Sequence, residues 1–102
     1  MALIEGNKDN FNDNTTSGTV LLDFHADWCG PCQMLRPTLE ELADSVPETI
    51  LSINIDDEPE LAERFSVEGI PCLVALKDGK EVSRSVGVLP LKKLIKLLES
   101  AR

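Results

Sequence analysis

Residues 20–37 read Val20-Leu-Leu-Asp-Phe-His-Ala-Asp-Trp-Cys-Gly-Pro-Cys-Gln-Met-Leu-Arg-Pro37, and their pattern changes halfway. The first half belongs to Thr19–His25, a nearly continuous apolar run, which is typical of a strand covered on both faces in an α/β sheet. From Cys32 onward, apolar residues recur at intervals of three and four and predict a helix. Cys29 and Cys32 therefore form a Cys-x-x-Cys pair where a strand gives way to a helix.

The remaining chain also alternates between strand and helix patterns. Strands are predicted at Ala2–Ile4, Thr49–Ile55, Cys72–Leu76 and Glu81–Val86, and helices at Glu58–Phe65 and Pro90–Ala101. The Asn and Asp residues of Asp9–Asn14 are suited to cap a further short helix around Phe11. Asp78-Gly79 marks a two-residue hairpin between the last two strands. The order β-α-β-α-β-α-β-β-α predicts a single α/β domain over residues 1–102, with parallel strands, an antiparallel hairpin and helices on both faces.

Charge and composition exclude two classes of partner. The formal net charge is −8, and ten acidic residues against the single base Arg64 lie between Glu40 and Glu68. A nucleic acid would be repelled, so none is expected as a partner. The acidic flank is interpreted as solvated surface, with steering of a basic partner as the alternative. Because the chain has no signal-peptide pattern and no apolar run near ~20 residues, we expect no membrane association.

The position of the cysteine pair predicts its chemistry. Unpaired N–H groups and the dipole at a helix N-terminus favour a negative charge, so a thiolate at Cys29 is stabilised there. Cys32, one turn further on, is expected to be better shielded. The alternative is half of a zinc site, but zinc usually takes four Cys or His ligands. With only Cys72 and His25 as further soft ligands, a redox pair is favoured over a metal site.

The segment 20–37 resembles the active-site segment of the thioredoxin family. Four later segments match landmarks of that family in order and spacing: Asn54-Ile55-Asp56, Gly69-Ile70-Pro71, Lys77-Asp78-Gly79 and Val86-Gly87. The similarity extends from about Phe11 to Leu98. It implies the thioredoxin fold, a central mixed five-stranded sheet flanked by four helices in three layers.

The resemblance also implies a function and its partners. A family member of this kind is a protein-disulfide reductase that forms a reversible Cys29–Cys32 disulfide and needs no metal or prosthetic group. Its expected partners are disulfide-containing target proteins and a flavoprotein thioredoxin reductase that uses NADPH. We expect a cytoplasmic monomer.

Roles at the reacting centre follow from the same resemblance. Cys29 corresponds to the attacking thiol, Cys32 to the resolving thiol and Asp23 to a buried carboxylate beneath the pair. Burial raises the pKa of a carboxyl toward neutrality, which would let Asp23 accept the proton of Cys32. The alternative is an aspartate that faces outward from the strand. Pro71 corresponds to a cis-proline that faces the disulfide.

The resemblance also implies a surface for target proteins around the cysteine pair. The surface comprises Trp28, Gly30, Pro31, Ile70 and Gly87, and the Ile70 backbone is expected to pair with an extended substrate. Simple packing is the alternative role for Trp28.

Three positions depart from the family pattern. At the first, His25 replaces a residue that is usually aromatic, and it either lowers the pKa of a neighbouring thiol or has little effect on the reaction rate. Cys72 replaces a common threonine and is favoured as a small buried residue over a third reactive thiol. Ser52 stands where a lysine is frequent, so the pKa of Asp23 should be higher for lack of that cation.

Two other functions remain open from the sequence. The same apolar surface would serve a binding module that docks a partner without redox turnover. Cys29, Cys32 and Cys72 together would serve a metal-binding carrier.

Overall fold

The strands and helices follow the predicted order. A computed structural model describes residues 2–102, so Met1 of the predicted domain lies outside the described residues. The strands are β1 (Ala2–Glu5), β2 (Thr19–His25), β3 (Thr49–Asn54), β4 (Cys72–Lys77) and β5 (Lys80–Val86). The helices are α1 (Phe11–Thr15), α2 (Gly30–Ser45), α3 (Pro59–Arg64) and α4 (Leu91–Glu99). In this part of the chain no helix is both long and apolar enough to cross a membrane.

All five strands form one mixed sheet in the order β1-β3-β2-β4-β5. The apolar strand β2 lies at the centre, parallel to β3 and antiparallel to β4. The hairpin between β4 and β5 turns at Asp78 and Gly79, which have φ angles of 51° and 82°. Two consecutive left-handed residues match the twist of an antiparallel pair, so this turn confirms the predicted hairpin.

The two faces of the sheet carry separate cores, as a three-layer fold requires. One core joins Leu21 of β2 to Leu39 of α2 and Leu94 of α4. The other joins Phe24 of β2 to Phe11 of α1 and to Leu61 of α3. Successive residues of a strand point to opposite faces, so β2 contributes to both cores. The prediction of a central strand covered on both faces is confirmed.

Helix α2 begins at Gly30, two residues before the predicted start at Cys32. The apolar period used for the prediction becomes visible only from Leu35, whereas Pro31 already lies in the first turn. Proline suits that position because its fixed φ is helical and the N–H it lacks would have no partner there. The earlier start makes Cys29 the N-cap of the helix.

Candidate active site

A disulfide joins Cys29 and Cys32, whose Cα atoms lie 5.2 Å apart. Cys29 has an extended backbone and ends the loop after β2, whereas Cys32 lies in the first turn of α2. The Cys29 Sγ accepts a hydrogen bond from the Cys32 backbone N–H at 3.2 Å. A sulfur therefore occupies the N-cap position, where side-chain oxygens of serine or aspartate usually satisfy the free N–H groups.

The two cysteine residues are almost equally buried in the disulfide form. Cys29 is 5% exposed and Cys32 is 7% exposed, so the expectation that Cys32 is better shielded is wrong for this form. Both cysteines pack in a small cluster with Ala26, bordered by Ile55 and Ile70. These neighbours come from the ends of other elements. The spacing of Cys29 and Cys32, one helical turn apart, therefore could not predict them.

The loop before β4 reaches the disulfide. The Ile70–Pro71 peptide bond is cis, as the resemblance implied. The Ile70 carbonyl oxygen lies 3.9 Å from the Cys29 Sγ. Gly87, which has a φ of 104°, donates its N–H to the Pro71 carbonyl at 2.8 Å. The structure thus places Ile70 beside Cys29 and joins Gly87 to Pro71, the next residue, although all three are distant from Cys29 in sequence.

The residues around Cys29 along the chain lie on the surface. Trp28 is 70% exposed, which does not fit the alternative of simple packing. Its indole Nε1 donates to the Asp56 carboxylate at 2.8 Å. Gly30 and Pro31 are exposed as well. Asp56 was not predicted for the site, since only the fold shows that the loop after β3 lies beside Trp28.

Asp23 is buried on the face of the sheet that α2 covers. It is 3% exposed, so the alternative of an outward-facing aspartate is wrong. Its Oδ2 accepts a hydrogen bond from the Ser52 hydroxyl at 3.3 Å. Burial raises the pKa of this carboxyl to about 6, against an ordinary value of 3.8, although His25, the Ser52 hydrogen bond and Arg36 act to lower it. The carboxyl therefore changes its protonation state near neutral pH.

A cavity of about 360 Å³ connects Asp23 with Cys32. His25, Ala26, Asp27, Gln33 and Arg36 complete its lining. His25 thus shares a cavity with Cys32, and its Nε2 lies 3.9 Å from the Glu5 carboxylate, beyond hydrogen-bond distance. Sequence reasoning missed Arg36, although its place four residues after Cys32 puts both on one side of α2.

Cys72 belongs to a different part of the molecule from the disulfide. It is 1% exposed and packs with Phe24 and other residues of the core under α1 and α3. Burial raises the pKa of its thiol. Within residues 2–102, no three His, Cys, Asp or Glu side chains lie close enough together to hold a metal ion. The packing fits a small buried residue rather than a third reactive thiol or a metal ligand.

Comparison with known proteins agrees with this geometry. The family model described as Thioredoxin matches residues 2–100. This chain belongs to the thioredoxin family. The thioredoxin of Chlamydia trachomatis is 54% identical over 92 residues, which are 89% of this chain and 90% of that protein. The thioredoxin of Bacillus subtilis is 41% identical over 100 residues, or 96% of each chain.

Solved thioredoxin structures have the same fold. A mutant thioredoxin from Halobacterium salinarum superimposes with a TM-score of 0.90 at 39% identity, over 98% of this chain and 89% of that one. A reduced thioredoxin pre-protein from Schistosoma mansoni also gives 0.90, at 25% identity over the whole of both chains. Family membership and the Cys29–Cys32 disulfide together identify the protein as a dithiol–disulfide oxidoreductase that reduces protein disulfides. They favour this function over a non-redox binding module or a metal carrier.

The buried carboxyl should make stability depend on pH. A group whose pKa is raised by folding contributes stability below its unfolded pKa and loses it as the pH rises through its folded value. For Asp23 this window runs from about pH 4 to somewhat above pH 6. At about 1.4 kcal/mol per pH unit, the loss amounts to about 2–3 kcal/mol. An Asp23→Asn variant should therefore gain that much relative to the wild type between pH 4 and pH 8.

Urea unfolding of both proteins across this range measures the difference. The comparison between the two proteins is needed because Glu48 and Glu81 titrate as well. Their pKa values are lowered by hydrogen bonds from Arg102 and Arg84 respectively. A constant difference between variant and wild type would mean that Asp23 titrates alike in the folded and unfolded chain.

Proposed function

We propose that Cys29 is the attacking sulfur and Cys32 the resolving one. The observation that carries this assignment is the Cys29 Sγ at the N-cap of α2, accepting the Cys32 N–H at 3.2 Å. In the reduced protein the same N–H and the positive end of the helix favour a thiolate over a thiol. Cys29 therefore holds more of the nucleophilic species at neutral pH than an ordinary cysteine.

The reaction consists of two exchanges that balance in atoms and electrons. The Cys29 thiolate attacks one sulfur of a target disulfide, which forms a mixed disulfide and releases the other target sulfur as a thiolate. The Cys32 sulfur then attacks Cys29 and releases the second target thiolate. The target gains two electrons and this protein becomes oxidised. Because the two sulfurs carry both electrons, the cycle requires no metal and no prosthetic group.

Asp23 accepts the proton of Cys32 in the second exchange. Both residues line one cavity, and the carboxyl has a pKa of about 6, close to the pH at which it must act. A general base works best when its pKa lies near the operating pH. The transfer proceeds directly or through a water molecule in the cavity. His25 also lines this cavity and tunes the step, because its interaction with Asp23 acts to lower the pKa of that carboxyl.

Target proteins bind across a docking surface, defined here as Trp28, Gly30, Pro31, Ile70, Pro71 and Gly87. Exposed Trp28 and Pro31 supply apolar contact beside the disulfide, and an indole is well suited to such a surface. The backbone of Ile70 pairs with an extended segment of the target and aligns the target disulfide with Cys29. Cys72, packed in the opposite core, takes no part in the exchange.

The protein works as a cytoplasmic monomer between two kinds of protein partner. A flavoprotein thioredoxin reductase returns electrons from NADPH to the Cys29–Cys32 disulfide, and disulfide-containing proteins receive them. Family membership supports this pairing. The net charge of −8 disfavours a nucleic acid as a further partner.

The ionisation of Cys29 tests the assignment. The rate of alkylation of the reduced protein by iodoacetamide, followed against pH, should have its midpoint at least about one pH unit below the value of about 8.5 for an unperturbed cysteine. The fast phase should vanish in Cys29→Ser and persist in Cys32→Ser. A midpoint at or above 8.5, or a fast phase that survives in Cys29→Ser, would contradict the attacking role.

A further inference from the structure

A chain of hydrogen bonds connects the surface of α2 with the buried Asp23. The Arg36 guanidinium donates from Nη1 to the Ser52 hydroxyl at 3.2 Å. The Ser52 hydroxyl donates in turn to Asp23 Oδ2 at 3.3 Å. Ser52 is 0% exposed, whereas the Arg36 side chain remains 42% exposed. A cation at the edge of solvent is thereby connected to a carboxyl in the interior.

The direction of the chain is set by the chemistry of its members. Arginine has donors only, so the Ser52 oxygen must accept from Arg36. The single hydroxyl proton of Ser52 then points to the carboxyl and forms the hydrogen bond to Oδ2 of Asp23. In the described residues 2–102, Oδ1 of the same carboxyl is buried and has no hydrogen-bond partner. Oδ1 is therefore the oxygen that remains available to accept a proton.

Sheet register and helix periodicity place these groups next to Cys32. Asp23 of β2 and Ser52 of β3 are direct neighbours in the sheet. Cys32 and Arg36, four residues apart, lie on the same side of α2, and both line the cavity that Asp23 also lines. Arg36 thus reaches the carboxyl from the same helix that carries the resolving thiol.

We propose that Arg36 is a positioning residue for the resolving step. Acting through Ser52, it holds Oδ2 of Asp23 in a hydrogen bond, leaves Oδ1 free for the proton of the Cys32 thiol, and stabilises the ionised carboxylate that accepts it. The Cys32 proton passes from sulfur to Oδ1 of Asp23 as the Cys32 sulfur bonds to Cys29, the mixed disulfide breaks and the target thiolate leaves. This inference depends on the proton-accepting role proposed for Asp23.

Other groups act on the same carboxyl and limit the size of the effect. The charged or titratable groups around it are Glu5 of β1, His25 of β2, Asp27 of the following loop, Cys72 of β4, and Cys32 and Arg36 of α2. His25 and Arg36 lower the pKa of Asp23, while Glu5 raises it. Because Arg36 is partly exposed and its charge partly screened, its removal should have a moderate effect.

Arg36→Met should shift the pH profile of the resolving step upward by about half to one pH unit, because an opposite charge near a carboxyl lowers its pKa. Fewer Asp23 carboxyls are then ionised at low pH. The resolving rate should fall about three- to eightfold at pH 5.5 and remain unchanged at pH 8, where nearly all are ionised in both proteins. A helix-stabilising role alone would not produce this pH dependence.

The rate is measured by stopped flow with an aromatic disulfide that releases a coloured thiolate. The first release reports attack by Cys29, and the second reports resolution by Cys32. Nuclear magnetic resonance of the Asp23 carboxyl carbon in the oxidised protein measures the titration midpoint of this carboxyl directly, without any turnover, and Arg36→Met should raise that midpoint as well. Ser52→Ala should shift the midpoint in the same direction, and the double variant should shift it by less than the sum of the two.

Glu40→Gln is the matched control. The Glu40 carboxylate lies 3.9 Å from the Arg36 guanidinium, and Glu40 is not a member of the chain of hydrogen bonds that runs from Arg36 through Ser52 to Asp23. The Glu40→Gln variant should leave the midpoint unchanged. Arg36→Lys keeps the positive charge, so it should shift the midpoint by less than Arg36→Met does. A midpoint in Arg36→Met equal to that of the wild type overturns the inference. If Asp23→Asn still slows the second release, the role of Asp23 survives; if it does not, that role fails as well.

Discussion

The Cys29→Ser variant should no longer reduce insulin when NADPH and thioredoxin reductase supply the electrons. Its turnover should fall by at least about a thousandfold, as expected when a nucleophile is removed. A serine hydroxyl at the N-cap of α2 accepts the Cys32 N–H as the sulfur does, so the helix should still begin at Gly30. However, the hydroxyl is scarcely ionised at neutral pH and forms no disulfide. The fold is retained while the two-electron exchange is lost.

Two further cysteine variants show whether this loss is specific. Cys32→Ser should also stop turnover, but it should capture target proteins as a mixed disulfide with Cys29 that dithiothreitol releases. Cys72→Ala, in the core under α1 and α3, should keep nearly full activity. Retention of full insulin reduction by Cys29→Ser would contradict the redox mechanism itself.

Phe24→Ala should destabilise the protein by about 3–5 kcal/mol, the usual cost of removing a buried aromatic ring. Phe24 is 0% exposed and is the next-to-last residue of β2, the central strand of the sheet. Its ring centroid is 5.7 Å from that of Phe65, which in turn lies 5.8 Å from that of Phe11. The deletion leaves a cavity beside Phe65 and removes the tilted contact between the Phe24 and Phe65 rings. Because domains of this size have about 5–15 kcal/mol of stability, the loss is a large fraction.

Urea unfolding at a fixed pH measures this effect, with Met34→Ala as the control. Met34 lies on α2 and is 71% exposed, so truncating it should change the free energy of unfolding by less than about 0.5 kcal/mol. A Phe24→Ala variant that unfolds at the wild-type midpoint would show that the second core contributes far less than its burial indicates.

Short-range sequence patterns predicted the strands and helices and their order. The apolar run of β2, the helical period of α2 and the Asp78-Gly79 turn depend on residues near one another in sequence. Backbone hydrogen bonding and side-chain periodicity operate over the same short range. For this reason the elements and their order were predicted correctly, whereas the start of α2 was misplaced by two residues. A proline in the first turn fits a helix that the apolar period does not yet show.

The surroundings of the disulfide depended on contacts that no local pattern contains. Equal shielding of Cys29 and Cys32 results from the packing of Ala26, Ile55 and Ile70. The resemblance to a known family, rather than any pattern in the residues, indicated the cis bond before Pro71. Asp56 beside Trp28 was not predicted at all.

The sequence alone determined that a Cys-x-x-Cys pair stands at the beginning of a helix that follows a buried strand, since strand, turn and helix are each local. The tertiary structure decided which side chains support the buried carboxyl of Asp23. Ser52 stands where a lysine is frequent in the family, and the lack of that cation predicted only a higher pKa for Asp23. Strand register brings Ser52 against Asp23, and the docking of α2 brings Arg36 to Ser52. Side chains from three separate elements meet there only after the sheet and helix have packed.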